Sequence, residues 1–212
     1  MPFTRTALFA AINMQASGMV NKAERFAAPV AADWSRGTYR FMSAVPYGDG
    51  RHKGVDYIAE EGAPVVAGGV GQVAKAYPCD NCHGKSFFQL GLTQAEKDRA
   101  FIDLSAGFVY GFGNLIVVRY AWDDLPEGAR RAMVASDFQN HYAFVYHAHL
   151  TDDLRVREGD SVEAGTLLGF VGNTGNSTAP HLHLEVRCLA KANPTPFSGA
   201  KNLIDPETSY IF

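Results

Sequence analysis

From Val55 onward glycine and proline cut the chain into short apolar runs. "VDYIA", "APVVAGGVGQVAKAY", "GNLIVVRYAW", "YAFVYHAHL" and "GTLLGFVGNTG" are dominated by Val, Ile, Tyr and Phe. Branched and aromatic side chains suit a half-buried pleated surface, and runs this short read as strands. Many short strands joined by glycine turns close into a sandwich or barrel. The expected fold is therefore mostly β, an antiparallel β-sandwich or barrel-like domain.

Two segments break the strand texture. "LTQAEKDRAFIDLSAG" (92–107) has Thr93 with Glu96 three residues on, a capping box that opens a short helix. "DDLPEGARRAMVASDF" (123–138) is also helix-like, with Pro126 near its first turn. Both lie between strands, so they read as helical insertions at about 78–112 and 121–142. Residues 1–45 are Ala-rich without a clear period and read as a loosely docked N-terminal arm. The main domain then covers 46–212.

The chain has 212 residues, 47% of them apolar, enough for one packed core. Its 19 basic and 22 acidic residues leave a formal charge of −3, with no basic stripe of the kind a nucleic-acid binder carries. No apolar stretch approaches the ~18 residues of a membrane span. The N-terminus has Arg5 and a short apolar run that Asn13 and Gln15 interrupt, a poor match to a signal peptide.

Histidines stand in patterned places. In "RHKGVDY", His52 and Asp56 are four apart; "YHAHL" holds His147 and His149, and "STAPHLHLEVR" holds His181 and His183. Side chains of an extended chain alternate with period two, so each of these pairs is expected on one side of its strand. His52, Asp56 and His183 can together form a two-His, one-carboxylate zinc site that leaves a fourth position to water, the ligand count of catalytic zinc. His149 and His181 remain beside it.

"GRHKGVDYIAEEGAPVVAGGVGQV", "GFGNLIVVRYA", "YHAHL", "REGDSVEAGTLLGFVGNTGNSTAPHLHLEVR" and "LIDPETSYI" occur in an order that resembles the lysostaphin/LytM-type zinc endopeptidases. The resemblance covers about 45–77 and 110–210. It implies hydrolysis of peptide cross-links in peptidoglycan and a place in the cell envelope or outside the cell. It also assigns His52, Asp56 and His183 to zinc, and His149 and His181 to catalysis. The bond cleaved, and which of the two histidines is the base, stay open. A family tyrosine that helps polarise the scissile carbonyl would correspond to Tyr47, and His147 would orient His149. Both inserts depart from the compact pattern and are expected to wall the cleft.

Two other functions were weighed. A non-catalytic module that regulates wall hydrolases would have lost metal ligands, and all five polar positions are present. A lipoyl-like carrier would need a lysine in a tight turn, and none stands near "REGDSVEAGTLLG". The three cysteines are Cys79, Cys82 and Cys188. "CDNCH" matches the attachment signature of c-type haem. It lies in an insert without a methionine-bearing pocket, so a local pair or free thiols outweigh haem or a zinc knot.

Overall fold

A computed structural model describes residues 24–192 and 202–209. The leader-like segment and the first half of the expected arm, residues 1–23, lie outside the described residues.

The main sheet has eight strands, all pairs antiparallel. Its strands are β1 (Ser35–Arg36), β2 (Val55–Ile58), β4 (Gly71–Tyr77), β5 (Asn114–Tyr120), β6 (Tyr142–Leu150), β7 (Ser161–Val162), β9 (His181–Leu189) and β10 (Leu203–Ile204). They run in the order β1-β2-β9-β6-β5-β4-β7, with β10 also paired to β9. A two-stranded sheet of β3 (Pro64–Val66) and β8 (Leu167–Phe170) lies apart.

Strand β9 shows why this sequence makes this sheet. Leu182, Leu184, Val186 and Cys188 all join the main apolar core, with no exposure. Val65 and Leu168 of the small sheet and Phe26 and Val30 from the N-terminal segment belong to the same core. Each fully buried Leu or Val contributes about 1.5–3 kcal/mol. The alternate residues of β9 are His181, His183, Glu185, Arg187 and Leu189, and they face the other side. That side carries a second core of Leu115, Val117, Phe144, Tyr146 and Ala148, covered by Cys79, Cys82, Val109 and Phe112 of the first insert. The described part of the expected arm, residues 24–45, is thus anchored. It places two side chains in the main core, and β1 pairs with β2.

The inserts hold the expected helices. Helix α1 (Gln94–Ile102) is opened by the Thr93–Glu96 capping box. Helix α2 (Glu127–Ala135) follows Pro126 and buries Ala129 and Met133, four apart on one face. A short α3 (Pro206–Ser209) lies near the C-terminus. Cys79 and Cys82 form a disulfide inside the first insert, and Cys188 is a buried free thiol.

The second insert does not wall the cleft. Asn114 pairs with Leu150 at one end of the β5–β6 ladder, and Tyr120 pairs with Ala143 at the other. Six residues of strand, roughly 20 Å, separate the histidine end of β6 from the end where 121–142 leaves. Leu125, Ala129 and Met133 pack into the main core instead.

Candidate functional site

Strands β2 and β9 pair so that Asp56 stands opposite His183 and Ile58 opposite His181. Directly opposed residues of an antiparallel pair share a face, so the pairing puts Asp56, His181 and His183 together. His52 arrives from the segment before β2. Its backbone is tied by His52 N–H to the Ser43 carbonyl (2.9 Å) and Met42 N–H to the His52 carbonyl (2.6 Å). Gly54 lies under His183, where a Cβ would stand 2.8 Å from His183 Cε1 and collide with the Leu184 carbonyl. Only glycine lets the His52 segment pass this close to β9.

Three donor atoms converge. His52 Nε2 is 3.2 Å from Asp56 Oδ1 and 3.2 Å from His183 Nδ1, and His183 Nδ1 is 3.0 Å from Asp56 Oδ1. A tetrahedral zinc ion with ligand bonds near 2.0–2.1 Å needs donors roughly 3.3 Å apart, so the triangle has the size of one face of that tetrahedron. Among the described residues this is the one group of three His, Cys, Asp or Glu side chains that could hold a metal ion. Burial opposes charge on Asp56, but hydrogen bonds from His183 and His52 outweigh it and hold its carboxyl well below the usual range. Burial likewise lowers the pKa of His183, but Asp56 and Glu185 outweigh it and raise that pKa to about 9.

The other two imidazoles stand beside this triangle. The ring centroid of His149 is 4.8 Å from that of His181 and 5.9 Å from that of His183. His149 Nδ1 lies 2.7 Å from the Thr174 carbonyl, and His181 Nδ1 lies 2.8 Å from the Ala179 carbonyl. A carbonyl only accepts, so Nδ1 carries the hydrogen in each ring and Nε2 keeps its lone pair. His181 Nε2 is 3.6 Å from Asp56 Oδ1. Burial lowers the pKa of both rings, and the neighbouring histidines lower that of His149 further.

His149 reaches this place by breaking the strand pattern. It has φ +62°, and the β5–β6 register shifts between Asn114 and Ile116. This bulge turns His149 away from the strict alternation of β6. His147 does not share its side, contrary to the period-two expectation. It pairs with Leu184, a main-core residue, while Ala148 pairs with His183. His147 is fully buried and bonds the Ile116 carbonyl through Nδ1 (3.3 Å). It is therefore on the opposite face of the sheet from the five converging groups and does not orient His149.

Tyr47 lies on the His52 side. Burial, with Asp56 and Tyr39 adding, pushes its hydroxyl up to about 12, so it stays a donor at neutral pH. Its ring stacks on Phe101 of the first insert, with centroids 6.3 Å apart and planes 4° from parallel. The first insert thus does border the site. Three neighbours escaped the sequence reading. Tyr39 has its ring 6.0 Å from that of His52. Glu185 and Arg187 lie behind His183, and β9's alternation alone could have flagged them.

Residues 105–196 match the model of Peptidase family M23. That stretch includes His149, His181 and His183. Glycyl-glycine endopeptidase ALE-1 of Staphylococcus capitis is 35% identical over 79 residues, covering 37% of this chain and 21% of that protein. DD-carboxypeptidase/endopeptidase Mpg of Neisseria meningitidis serogroup B is 27% identical over 152 residues, covering 68% of this chain and 24% of that protein. The chain thus spans about a fifth to a quarter of the length of these relatives. Among solved structures, the antimicrobial peptidase lysostaphin from Staphylococcus simulans has a similar fold. The TM-score is 0.53 at 22% identity, covering 87% of this chain and 53% of that one. Motif order, antiparallel β fold and these matches agree, and the chain belongs to the lysostaphin/LytM-type group of peptidase family M23.

Proposed function

We propose that this protein is a zinc-dependent endopeptidase that hydrolyses peptide cross-links of bacterial peptidoglycan. The observation that carries the reading is the donor triangle of His52, Asp56 and His183, with sides of 3.0–3.2 Å, flanked by two imidazoles with free Nε2 atoms. Zinc held by those three residues supplies carbonyl polarisation and a water whose pKa falls towards ~7. The chain's own groups do the rest. One of His149 and His181 takes a proton from the attacking water through Nε2, in the range where histidine titrates. The other, once protonated, donates through Nε2 to the developing oxyanion. Tyr47, protonated at neutral pH, is a further donor on the His52 side.

Work on a wall polymer places the protein in the cell envelope or outside the cell. The names of the relatives cover two kinds of bond, glycyl-glycine and those of a DD-carboxypeptidase/endopeptidase. Both are candidate substrates here. The test is digestion of purified sacculi of each wall type, with fragments identified by mass and zinc measured on the same sample. We expect about one zinc per chain and release of cross-link fragments from one wall type. Asp56→Ala is expected to lose both metal and activity. An Asp56→Ala protein with full zinc occupancy would overturn the ligand set.

A further inference from the structure

Four imidazoles stand at the centre, and one is turned differently. His52, His149 and His181 each direct Nε2 inward and place Nδ1 near a backbone carbonyl, those of Arg40, Thr174 and Ala179. His183 directs Nδ1 inward, at His52 and Asp56. Its Nε2 points the other way, and the group facing it is Glu185 Oε2 at 3.7 Å.

Glu185 is 1% exposed. Burying a carboxylate costs several kcal/mol unless it is paired. Arg187, also buried, pairs through Nε with Glu185 Oε1. The guanidinium lies 4.3 Å from the centroid of the Tyr146 ring, and Phe112 flanks it at 5.9 Å. The carboxylate is thus split, one oxygen to the arginine and one to the imidazole. An apolar residue would fill this face without that cost, as Leu189 does further along the same strand. The pair needs a reason beyond packing.

We propose that Glu185 is a positioning residue for His183. It accepts the Nε2–H of that ring, which fixes the tautomer and leaves the Nδ1 lone pair aimed at the metal position. Arg187 holds the carboxylate in place and keeps it charged. An imidazole has one proton to place when neutral, and an acceptor behind the ring decides where it goes. Without Glu185 the ring is free to carry the proton on Nδ1, where it blocks metal binding, or to turn about its side-chain torsion. The proposal rests on reading the triangle as a zinc site.

The test is zinc affinity of the full chain by chelator competition, with thermal melting of the zinc-free protein as the check on folding. Replacing a buried ion pair by apolar residues of similar volume is often neutral for stability. The double variant Glu185→Leu/Arg187→Met is therefore expected to fold and to bind zinc about 10–100-fold more weakly. Glu185→Gln/Arg187→Met keeps one acceptor oxygen, with no arginine competing for it. It is expected to bind zinc within about threefold of the wild type, allowing about 0.6 kcal/mol between the two acceptors. A conservative rescue of this kind separates the acceptor role from simple space filling. Equal affinity in the wild type and the Leu/Met variant would overturn the proposal, as would equal losses in both doubles.

A wild-type chain that binds no zinc removes the reading of the centre and this proposal with it. A zinc-tight Leu/Met variant removes this proposal alone. Nitrogen-15 spectra of the wild-type, zinc-loaded imidazoles need no variant. They should show the proton of His183 on Nε2, and a proton on Nδ1 sinks the idea whether or not the variants fold.

Discussion

At the scale of single residues, the nitrogen wiring of His149 and His181 makes a specific demand. Each spends Nδ1–H on a carbonyl and neither belongs to the donor triangle. Replacing either by Ala should leave about one zinc per chain, while turnover falls about 10²–10⁴-fold for a general base or 10²–10³-fold for an oxyanion partner. Zinc content and wall-digestion rate measured on the same samples check this, and a near-normal rate in both variants would return these rings to packing. Gly54 gives the opposite signature. Gly54→Ala drives a methyl into the Leu184 carbonyl and the His183 ring, so it should lose zinc together with activity. Much of this was legible in the sequence. Period-two spacing correctly set His181 and His183 on one face. It failed at His149, because nothing in "YHAHL" announces a positive φ, and so it misplaced His147. Glu185 stood two residues beyond His183, yet a charge in an apolar run reads as a strand's solvent face unless something covers that face. The cover is the first insert, which comes from the far side of the sequence.

At the scale of elements, the two inserts have different jobs, and the strands between them explain why. Strand β6 is nine residues long and carries His149 near its end. The insert before it therefore joins the sheet at the far end, where α2 adds Ala129 and Met133 to the core. The first insert precedes β5, whose first residue, Asn114, pairs with Leu150 at the histidine end. Strand length and direction were enough to tell the two apart, and treating both as neighbours of the cleft ignored them. What the sequence could not supply is the contact itself. Phe101 of α1 lies against Gly111 and Phe87 and stacks on Tyr47. An aromatic pair is worth about 0.5–1.5 kcal/mol beyond its burial. If Tyr47 assists the reaction, Phe101→Ala should lower the rate per zinc-loaded molecule about 2–12-fold without changing zinc content. A rate equal to wild type would leave the insert as a cover for the second core and nothing more.

At the scale of the whole molecule, the misread histidine becomes a handle on stability. His147 faces Leu184 and the main core, and its Nε2 has no hydrogen-bond partner among the described residues. Burial lowers its pKa from 6.5 to about 4, against a weaker pull upward from the Ile116 and Val145 carbonyls. The folded protein therefore holds this ring neutral where the unfolded chain would protonate it. Its contribution is fully present above pH 6.5 and is lost as the pH falls from there towards 4, since the unfolded state binds the extra proton. The loss by pH 4.5 amounts to about 2.5 kcal/mol, taking 1.36 kcal/mol per pKa unit. Other buried histidines titrate in the same window, so the wild-type curve alone cannot isolate it. The comparison is wild type against His147→Leu, both with zinc chelated, by urea unfolding at pH 7.5 and 4.5. Leu suits the apolar face and carries no proton. The fall in unfolding free energy between the two pH values should be smaller in the variant by about 2.5 kcal/mol. The metal triangle and its imidazoles lie on the opposite face of the sheet, so zinc binding at neutral pH should be unchanged. An equal fall in both proteins would mean that His147 finds water or another partner in solution and is not held neutral by the core.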